Sequence, residues 1–260
     1  MDPNTLTADS YQTDGQAASP LYRRFPSFFY YTRMAGIVWR ASGAARRGVY
    51  DDERWGLDSW RIIQALERVG VRFAIEGREH LRQVAGPCVV VGNHMSTLET
   101  FVLPCLLLPF GRATFVVKRS LVDYPVFRHV MRSRQPVVVE RVNPRDDFKA
   151  VMEQGGERLA QGLSVVVFPQ TTRTTTFDPE EFNTIGVKLA KRAGVPILPV
   201  ALKTDAWGNG RLLKDFGPID PRKTVHLAFG PPLEVHGNGQ AEQAAIIDFI
   251  QTKLTGWARE

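Results

Sequence analysis

The sequence is poor in cysteine, and its beginning lacks an apolar segment. Only Cys88 and Cys105 are cysteines among 260 residues, and both lie in apolar runs without the spacing of metal ligands. A disulfide framework and a zinc site are therefore not expected, and both thiols should behave as small buried hydrophobes. The first twenty residues are polar and contain no apolar core, unlike a secretory signal. A cytoplasmic location is expected.

Long apolar runs are also missing from the aromatic N-terminal segment. Between Leu21 and Gly48, the longest uncharged runs span only residues 25–32 and 34–39. Both runs are far shorter than the roughly 20 residues that a membrane-spanning helix needs. This segment is therefore not expected to cross a bilayer.

Acidic residues are absent between Gly15 and Tyr50, whereas six arginines occur there. The whole chain has a net charge of +6, from 33 basic and 27 acidic residues, so the rest of the chain is balanced at 27 of each. The charge excess is thus an N-terminal feature. It favours one oriented anionic surface as a partner over a diffuse basic shell.

Several motifs that define other reaction classes are absent. The chain has no G-x-S-x-G elbow, no Walker P-loop, no H-E-x-x-H helix and no G-x-G-x-x-G loop after a strand. No RNA-binding signature accompanies its basic and aromatic residues. We therefore expect no nucleic-acid partner, and a lipid membrane is the better candidate for the anionic surface.

An alternating pattern of strands and helices is present from Val71 onward. Hydrophobic residues make up 43% and charged residues 23% of the chain, which is ordinary for a folded globular protein. The predicted strands span residues 71–76, 88–92, 114–117, 136–140, 164–168, 197–203 and 224–229. The predicted helices span residues 97–108, 122–132, 145–161, 180–193 and 241–255. This alternation predicts an α/β fold with a mixed, largely parallel central sheet flanked by helices.

An N-terminal amphipathic helical segment is predicted to precede this sheet. Arg33, Arg40 and Arg47 recur every seven residues and so share one face of a helix. The opposite face then carries Phe28, Tyr31, Ala35 and Val38. Such a helix can lie in the headgroup layer of a membrane, or it can pack on the domain with its arginines in water.

The polar turn at residues 92–99, GNHMSTLE, directly follows the apolar run CVVV. A strand that ends in a turn before a helix places that turn at the carboxyl edge of the sheet, where α/β proteins commonly bind ligands. His94 can there accept a hydroxyl proton, and Glu99 can orient its imidazole. However, residues 96–99 also match a capping box, in which Glu99 serves the helix N-terminus. The sequence leaves both roles of Glu99 open.

The block of Asn93, His94, Ser96 and Glu99 resembles the NHxSxxD block of the glycerolipid acyltransferases, the family that includes bacterial 1-acylglycerol-3-phosphate acyltransferase. The spacing of His94 and Glu99 is the HX4D pattern of that family with glutamate in place of aspartate. Three further blocks follow in the same order as in the family: Lys118, Leu121, Pro125 and Arg141; FPQTTRT at 168–174, which resembles FPEGTRS; and VPILPV at 195–200. The four blocks span roughly residues 89–200, and their order makes them far more specific than any one alone.

The resemblance implies an enzyme that transfers a fatty acyl group from acyl-CoA or acyl carrier protein to the hydroxyl of a lysophospholipid or glycerol-phosphate acceptor. His94 would be the general base and Glu99 its carboxylate partner, with no metal or bound redox cofactor. Residues 71–260 would form the acyltransferase domain, 21–70 a membrane-associating helical segment on the cytoplasmic face, and 1–20 a flexible tail. An acyl-thioester hydrolase and a non-catalytic lipid-binding relative are the alternatives.

The phosphate of such an acceptor needs cations near His94. Lys118, Arg141 and Arg173 fall at predicted strand ends or loops of the same sheet margin. The hydroxyl-rich run 171–176 adds Thr172 as a headgroup ligand, although this run can equally be a turn before the next helix. Each cation is alternatively an ordinary surface residue. The pair at 170–171, Gln-Thr, stands where the family has Glu-Gly, in a loop expected to face the acceptor. This departure leaves room for an acceptor other than plain lysophosphatidic acid.

Overall fold

The computed structural model describes residues 8–15, 18–170, 172–210 and 214–259. Its centre is one sheet of eight strands in the order β1-β2-β8-β7-β3-β6-β4-β5. The strands are β1 Tyr11–Gln12, β2 Arg72–Glu76, β3 Val89–Gly92, β4 Ala113–Lys118, β5 Val137–Val139, β6 Ser164–Val167, β7 Ile197–Lys203 and β8 Thr224–Phe229. The β1–β2 and β7–β8 pairs are antiparallel, whereas the other neighbouring strands are parallel. The predicted mixed, largely parallel sheet is confirmed.

Helices cover both faces of this sheet. They are α1 Pro20–Arg24, α2 Pro26–Arg46, α3 Asp52–Arg68, α4 Glu79–Arg82, α5 Leu98–Leu107, α6 Arg119–Asp123, α7 Phe127–Ser133, α8 Pro144–Ala150, α9 Gly156–Ala160, α10 Ile185–Ala193 and α11 Gln240–Trp257. A π-helical turn, Val151–Gly155, joins α8 to α9. No helix in the described part of the chain is long and apolar enough to span a membrane.

Two of the predicted helices differ from the observed ones in continuity or length. The helix predicted over 122–132 is split into α6 and α7, because Pro125 cannot supply a helical N–H group. The chain turns sharply there: Val126 has φ of 71°, and the N–H of Phe127 donates to the Pro125 carbonyl at 2.9 Å. The helix predicted from residue 180 begins only at Ile185.

The predicted flexible tail is wrong for residues 8–15, which pack against the domain. Tyr11–Gln12 pairs with β2, and the Tyr11 hydroxyl donates to the Glu67 carboxylate at 2.6 Å. The Thr13 hydroxyl donates to the same carboxylate at 2.7 Å. Backbone pairing and these two side-chain bonds hold the segment at the edge of the sheet. The first seven residues lie outside the described part of the chain.

Alternate residues of β3 enter two different cores, as expected for a central strand covered on both faces. Val90 packs among buried residues from α2, α3 and α5. Val89 and Val91 pack on the other face, with buried residues from α10 and α11. Because β3 is buried on both sides, its carboxyl end is held firmly, and that end carries the histidine turn.

The helix α2 packs on the domain through a different face from the predicted one. Its buried stripe is Tyr30, Met34, Ile37 and Ala41. Of the predicted apolar face, Phe28 and Ala35 are exposed, and Tyr31 and Val38 are half-buried. The helix thus uses its best-packing stripe for the core and leaves aromatic residues in solvent: Phe28 is 67% and Trp39 72% exposed.

Candidate active site

The turn after β3 is fixed to β7 by an amide clamp. The Asn93 side chain donates to the Leu202 carbonyl at 2.7 Å and accepts from the Leu202 N–H at 2.8 Å. At Gly92, a Cβ would lie 2.5 Å from the nearest Val200 methyl carbon, so only glycine allows β3 and β7 to approach so closely. The chain therefore leaves β3 in a defined direction, and His94 follows at the edge of the sheet.

His94 and Glu99 form a close pair. Nδ1 of His94 meets Oε2 of Glu99 in a short hydrogen bond. The Glu99 side chain is fully buried, whereas that of His94 remains 17% exposed. Because Nδ1 is occupied by the carboxylate, Nε2 is the ring nitrogen left to accept a proton from a bound hydroxyl.

The other oxygen of Glu99 serves the helix N-terminus. Oε1 accepts from the N–H groups of Met95 and Ser96, each at 2.8 Å, just before α5 begins. The two roles that the sequence leaves open are thus both present: one oxygen holds the histidine and the other binds the backbone. Glu99 lies in the first turn of α5, where the helix dipole favours negative charge.

Thr204 is a fourth partner of Glu99, and it was not among the predicted site residues. Its hydroxyl donates to Oε1 at 2.6 Å and accepts from the Ser96 hydroxyl at 2.9 Å. Thr204 is fully buried and directly follows β7, which ends at the same edge of the sheet as β3. Four donors therefore converge on the buried carboxylate, so its two oxygens are well satisfied. Only the shared sheet edge gives Thr204 a signal in the sequence.

The imidazole ring of His94 is also held from its face. Phe168 stacks on it with a centroid separation of 4.5 Å and an interplanar angle of 5°. The Thr174 N–H donates to the His94 carbonyl at 3.0 Å, so the loop after β6 is bound to the histidine turn by its backbone. Stacking and the carboxylate bond together fix the orientation of the ring.

Gln170 lies buried behind the histidine turn. It is only 2% exposed. Its oxygen accepts from the His94 N–H at 2.6 Å, and its nitrogen donates to the Thr174 hydroxyl at 2.9 Å. An amide can do both because it carries an acceptor and a donor, whereas a carboxylate would offer acceptors alone. Thr171 lies outside the described residues.

Arg173 is the predicted cation with the most direct link to the histidine turn. Nη1 of Arg173 donates to the hydroxyl of Thr97, which lies between His94 and Glu99 in the chain. Nη2 forms a 2.7 Å ion pair with Asp215. The neighbouring Thr172 is an exposed loop residue. The structure thus brings Arg173 to the turn between His94 and Glu99 and leaves Thr172 exposed in the loop.

Arg141 and Lys118 lie further along the same sheet edge. Nη1 of Arg141 is 3.5 Å from the Gln170 carbonyl, and burial lowers the pKa of this guanidinium while Asp147 opposes that shift. Lys118 is exposed at the end of β4, where it is in register with Val139 of β5. The neighbouring Arg119, which is not a predicted site residue, forms an ion pair with Glu140.

The site therefore combines a carboxylate-bound imidazole with cations on the loops that follow neighbouring parallel strands. An imidazole held in one tautomer can remove a proton from a hydroxyl group. Guanidinium and ammonium groups bind phosphate. The arrangement suits the activation of a hydroxyl group that belongs to a phosphate-bearing molecule.

Comparison with known proteins agrees with this chemistry. The sequence model of the family described as Acyltransferase matches residues 72–203. The chain is 31% identical to the 1-acyl-sn-glycerol-3-phosphate acyltransferase of Pseudomonas aeruginosa over 190 residues, 72% of this chain and 70% of that protein. It is 29% identical to a 1-acyl-sn-glycerol-3-phosphate acyltransferase of Chlamydomonas reinhardtii over 194 residues, 73% of this chain and 56% of that protein.

A solved structure shares the fold. The crystal structure of the 1-acyl-sn-glycerophosphate (LPA) acyltransferase of Thermotoga maritima superposes with a TM-score of 0.64 at 19% sequence identity, covering 92% of this chain and 95% of that one. At this identity the likeness establishes the architecture alone. The family assignment rests on the sequence comparisons, which match the strands and turns that carry His94, Glu99 and Arg173. The chain belongs to the glycerolipid acyltransferase family and is an acyltransferase.

Proposed function

We propose that this enzyme moves a fatty acyl group from acyl-CoA or acyl carrier protein to the free hydroxyl of a lysophospholipid or glycerol-phosphate acceptor at a membrane surface. The observation that carries the proposal is the His94–Glu99 pair, which leaves Nε2 of His94 to the acceptor, with Arg173 bound to Thr97 of the same turn. The relatives are named for a 1-acyl-sn-glycerol-3-phosphate substrate, which supports this acceptor class.

The proposed reaction begins when Nε2 of His94 removes the proton of the acceptor hydroxyl. The oxygen attacks the thioester carbonyl carbon, and Glu99 stabilises the imidazolium that forms. Collapse of the tetrahedral intermediate breaks the carbon–sulfur bond, and the imidazolium returns its proton to the leaving thiolate. The products are an oxygen ester and a free thiol. No electrons are exchanged, so no redox cofactor takes part.

The acceptor phosphate is proposed to bind Arg173, Arg141 and Lys118, with the Thr172 hydroxyl at the rim. These groups follow β6, β5 and β4, which are neighbours in the sheet. Binding at this edge would direct the adjacent hydroxyl toward Nε2. Such positioning lowers a reaction barrier by several kcal/mol because the reactants need not find each other by diffusion.

An apolar cavity lined in part by α5, the helix that carries Glu99, is the proposed place for acyl chains. It begins at Thr100 and Phe101, directly after Glu99, and extends between α2, α3, α5 and α7. Its apolar lining includes Ile37, Ile62 and Met131.

Product analysis tests the reaction class. With labelled acyl-CoA and a panel of lysolipids, we expect labelled diacyl product that depends on the acceptor, measured by mass spectrometry. A hydrolase that activates water at His94 would instead release free fatty acid with or without acceptor. Lipid binding without thioester consumption would identify a non-catalytic relative. Either of these two results would overturn the proposed function.

The surface of α2 supports action at a membrane. Phe28, Thr32, Ala35 and Trp39 recur along one exposed face, and the exposed row of Arg33, Arg40 and Arg47 borders it. Interfacial helices typically place aromatic rings at the boundary between water and hydrocarbon. They also carry cations that bind anionic lipid headgroups. We propose that this face brings the cleft to the lipid as a peripheral contact. The negative potential of the cytoplasmic leaflet favours that side.

Substituting Arg33, Arg40 and Arg47 together by glutamine should weaken binding to anionic liposomes by roughly a hundredfold at low salt. Each cation near an anionic surface contributes about 1 kcal/mol. The difference should shrink as salt is added, because the attraction is screened. Sedimentation with liposomes of increasing anionic lipid content measures both effects.

The matched control changes three exposed cations on α8 and α10, Lys149, Lys191 and Arg192, to glutamine. It removes the same net charge and should keep liposome affinity near that of the native protein. Unchanged affinity in the α2 variant, or an equal loss in the control, would contradict a membrane role for this helix face.

A further inference from the structure

The guanidinium proposed to bind the acceptor phosphate already has an anionic partner. Asp215 meets Arg173 at 2.7 Å, and the Arg173 side chain is 18% and that of Asp215 40% exposed. Nη1 of Arg173 donates to the Thr97 hydroxyl. The oxygen of that hydroxyl lies 3.4 Å from the same Asp215 oxygen. The Asp215 carboxylate thus occupies the position on Arg173 that we assign to the acceptor phosphate.

The segment that carries Asp215 is attached to the domain just after this residue. The Gly208 N–H donates to the Pro218 carbonyl at 2.9 Å. A Cβ at Gly217 would lie 1.7 Å from the Gly208 carbonyl oxygen, so glycine is required at this crossing. The Tyr31 hydroxyl donates to the Gly217 carbonyl at 2.5 Å and connects the segment to α2. The position of Asp215 is therefore defined by neighbouring backbone.

We infer that Asp215 is a specificity-determining residue that occupies the anion position of Arg173 until the phosphate of an acceptor displaces it. The inference rests on the proposed function, because it assigns the phosphate to Arg173. A phosphate monoester carries more charge and more acceptor oxygens than a carboxylate, so it can exchange with Asp215 on the guanidinium. An uncharged lysolipid has no group for this exchange. Asp215 thus weakens the binding of anionic headgroups and leaves that of uncharged headgroups unchanged, so it lowers the preference of the site for phosphate.

The test is a binding measurement without an acyl donor. The probe is 1-hexanoyl-glycerol 3-phosphate, a water-soluble lysolipid, titrated by calorimetry. Asp215→Asn keeps the shape and removes the competing charge, so the Kd should fall about tenfold, the scale of one half-buried charge-assisted hydrogen bond. In an Arg173→Gln background the same substitution should have little effect, because the two residues then no longer interact.

Asp220→Asn is the matched control. Asp220 lies in the same connection between β7 and β8 and has its own ion pair, with Arg222 at 2.8 Å. Its removal should leave the Kd unchanged. The uncharged probe 1-hexanoyl-glycerol should bind the native protein and Asp215→Asn equally.

Equal or weaker binding of the phosphate probe by Asp215→Asn would overturn the inference. Weaker binding would mean that Asp215 holds Arg173 in position for the phosphate and does not compete with it. Because no thioester is present, the result is independent of turnover. Tighter binding in a protein that makes no diacyl product would support the inference about Arg173 and reject the proposed function.

Discussion

His94→Ala should lower kcat/KM for acyl transfer by about 10²- to 10⁴-fold, the range for loss of a general base. Nδ1 is bound to Glu99, so Nε2 is the atom that takes the acceptor proton, and alanine has no substitute for it. The cations and the apolar cavity remain, so binding of lysolipid should change little. Initial rates with labelled acyl-CoA, together with lysolipid binding, separate the two effects.

A second variant guards against a loss caused by misfolding. Alanine leaves the buried Glu99 carboxylate without its ring partner, whereas His94→Gln can still donate a hydrogen bond to it. Both variants should be equally inactive, and His94→Gln should unfold near the native temperature. Turnover close to that of the native enzyme in either folded variant would remove His94 from the mechanism.

The sheet was predictable because its central strands are short apolar runs between polar turns. All seven strands predicted from residue 71 onward are present, since burial on both faces leaves a clear β-rich pattern. The strand β1 was missed because two residues carry no periodicity. Its place depends on the bonds from Tyr11 and Thr13 to Glu67, a residue more than fifty positions away.

The N-terminal helix shows the limit of periodicity. Its sequence has apolar residues around most of its circumference, so more than one face can enter the core. Packing against α3 and α7 selects Tyr30, Met34 and Ile37, and Phe28 is left in solvent. The shared exposed face of the three arginines was predicted correctly from their seven-residue spacing, because charged side chains stay exposed whichever apolar stripe is buried.

The candidate site was predictable only where residues belong to a sequence block. His94 pairs with Glu99, and Arg173 binds Thr97 of the same turn, because parallel neighbours bring their following loops to one edge. Thr204 and Asp215 lie outside the blocks. Thr204 directly follows β7, and Asp215 lies in the connection between β7 and β8. Such long-range partners have no local pattern.

Glu99→Gln should separate the two roles that Glu99 combines. The amide oxygen can replace Oε1 and still accept from the N–H groups of Met95 and Ser96, so the helix start is kept. The amide nitrogen then faces Nδ1 of His94 and donates to it. The ring proton must move to Nε2, which can no longer act as a base. We expect kcat to fall by about 10³- to 10⁴-fold, as when the carboxylate beside a catalytic histidine becomes an amide.

Unfolding temperatures complete this test. Glu99→Gln should unfold within about 2 °C of the native protein, because the backbone bonds persist. Glu99→Ala leaves buried donors of Met95, Ser96 and Thr204 without an acceptor, at about 1–3 kcal/mol each, so its Tm should fall by about 5–10 °C or more. Native turnover by Glu99→Gln would mean that Glu99 only supports the helix, and the pairing with His94 would then have no part in catalysis.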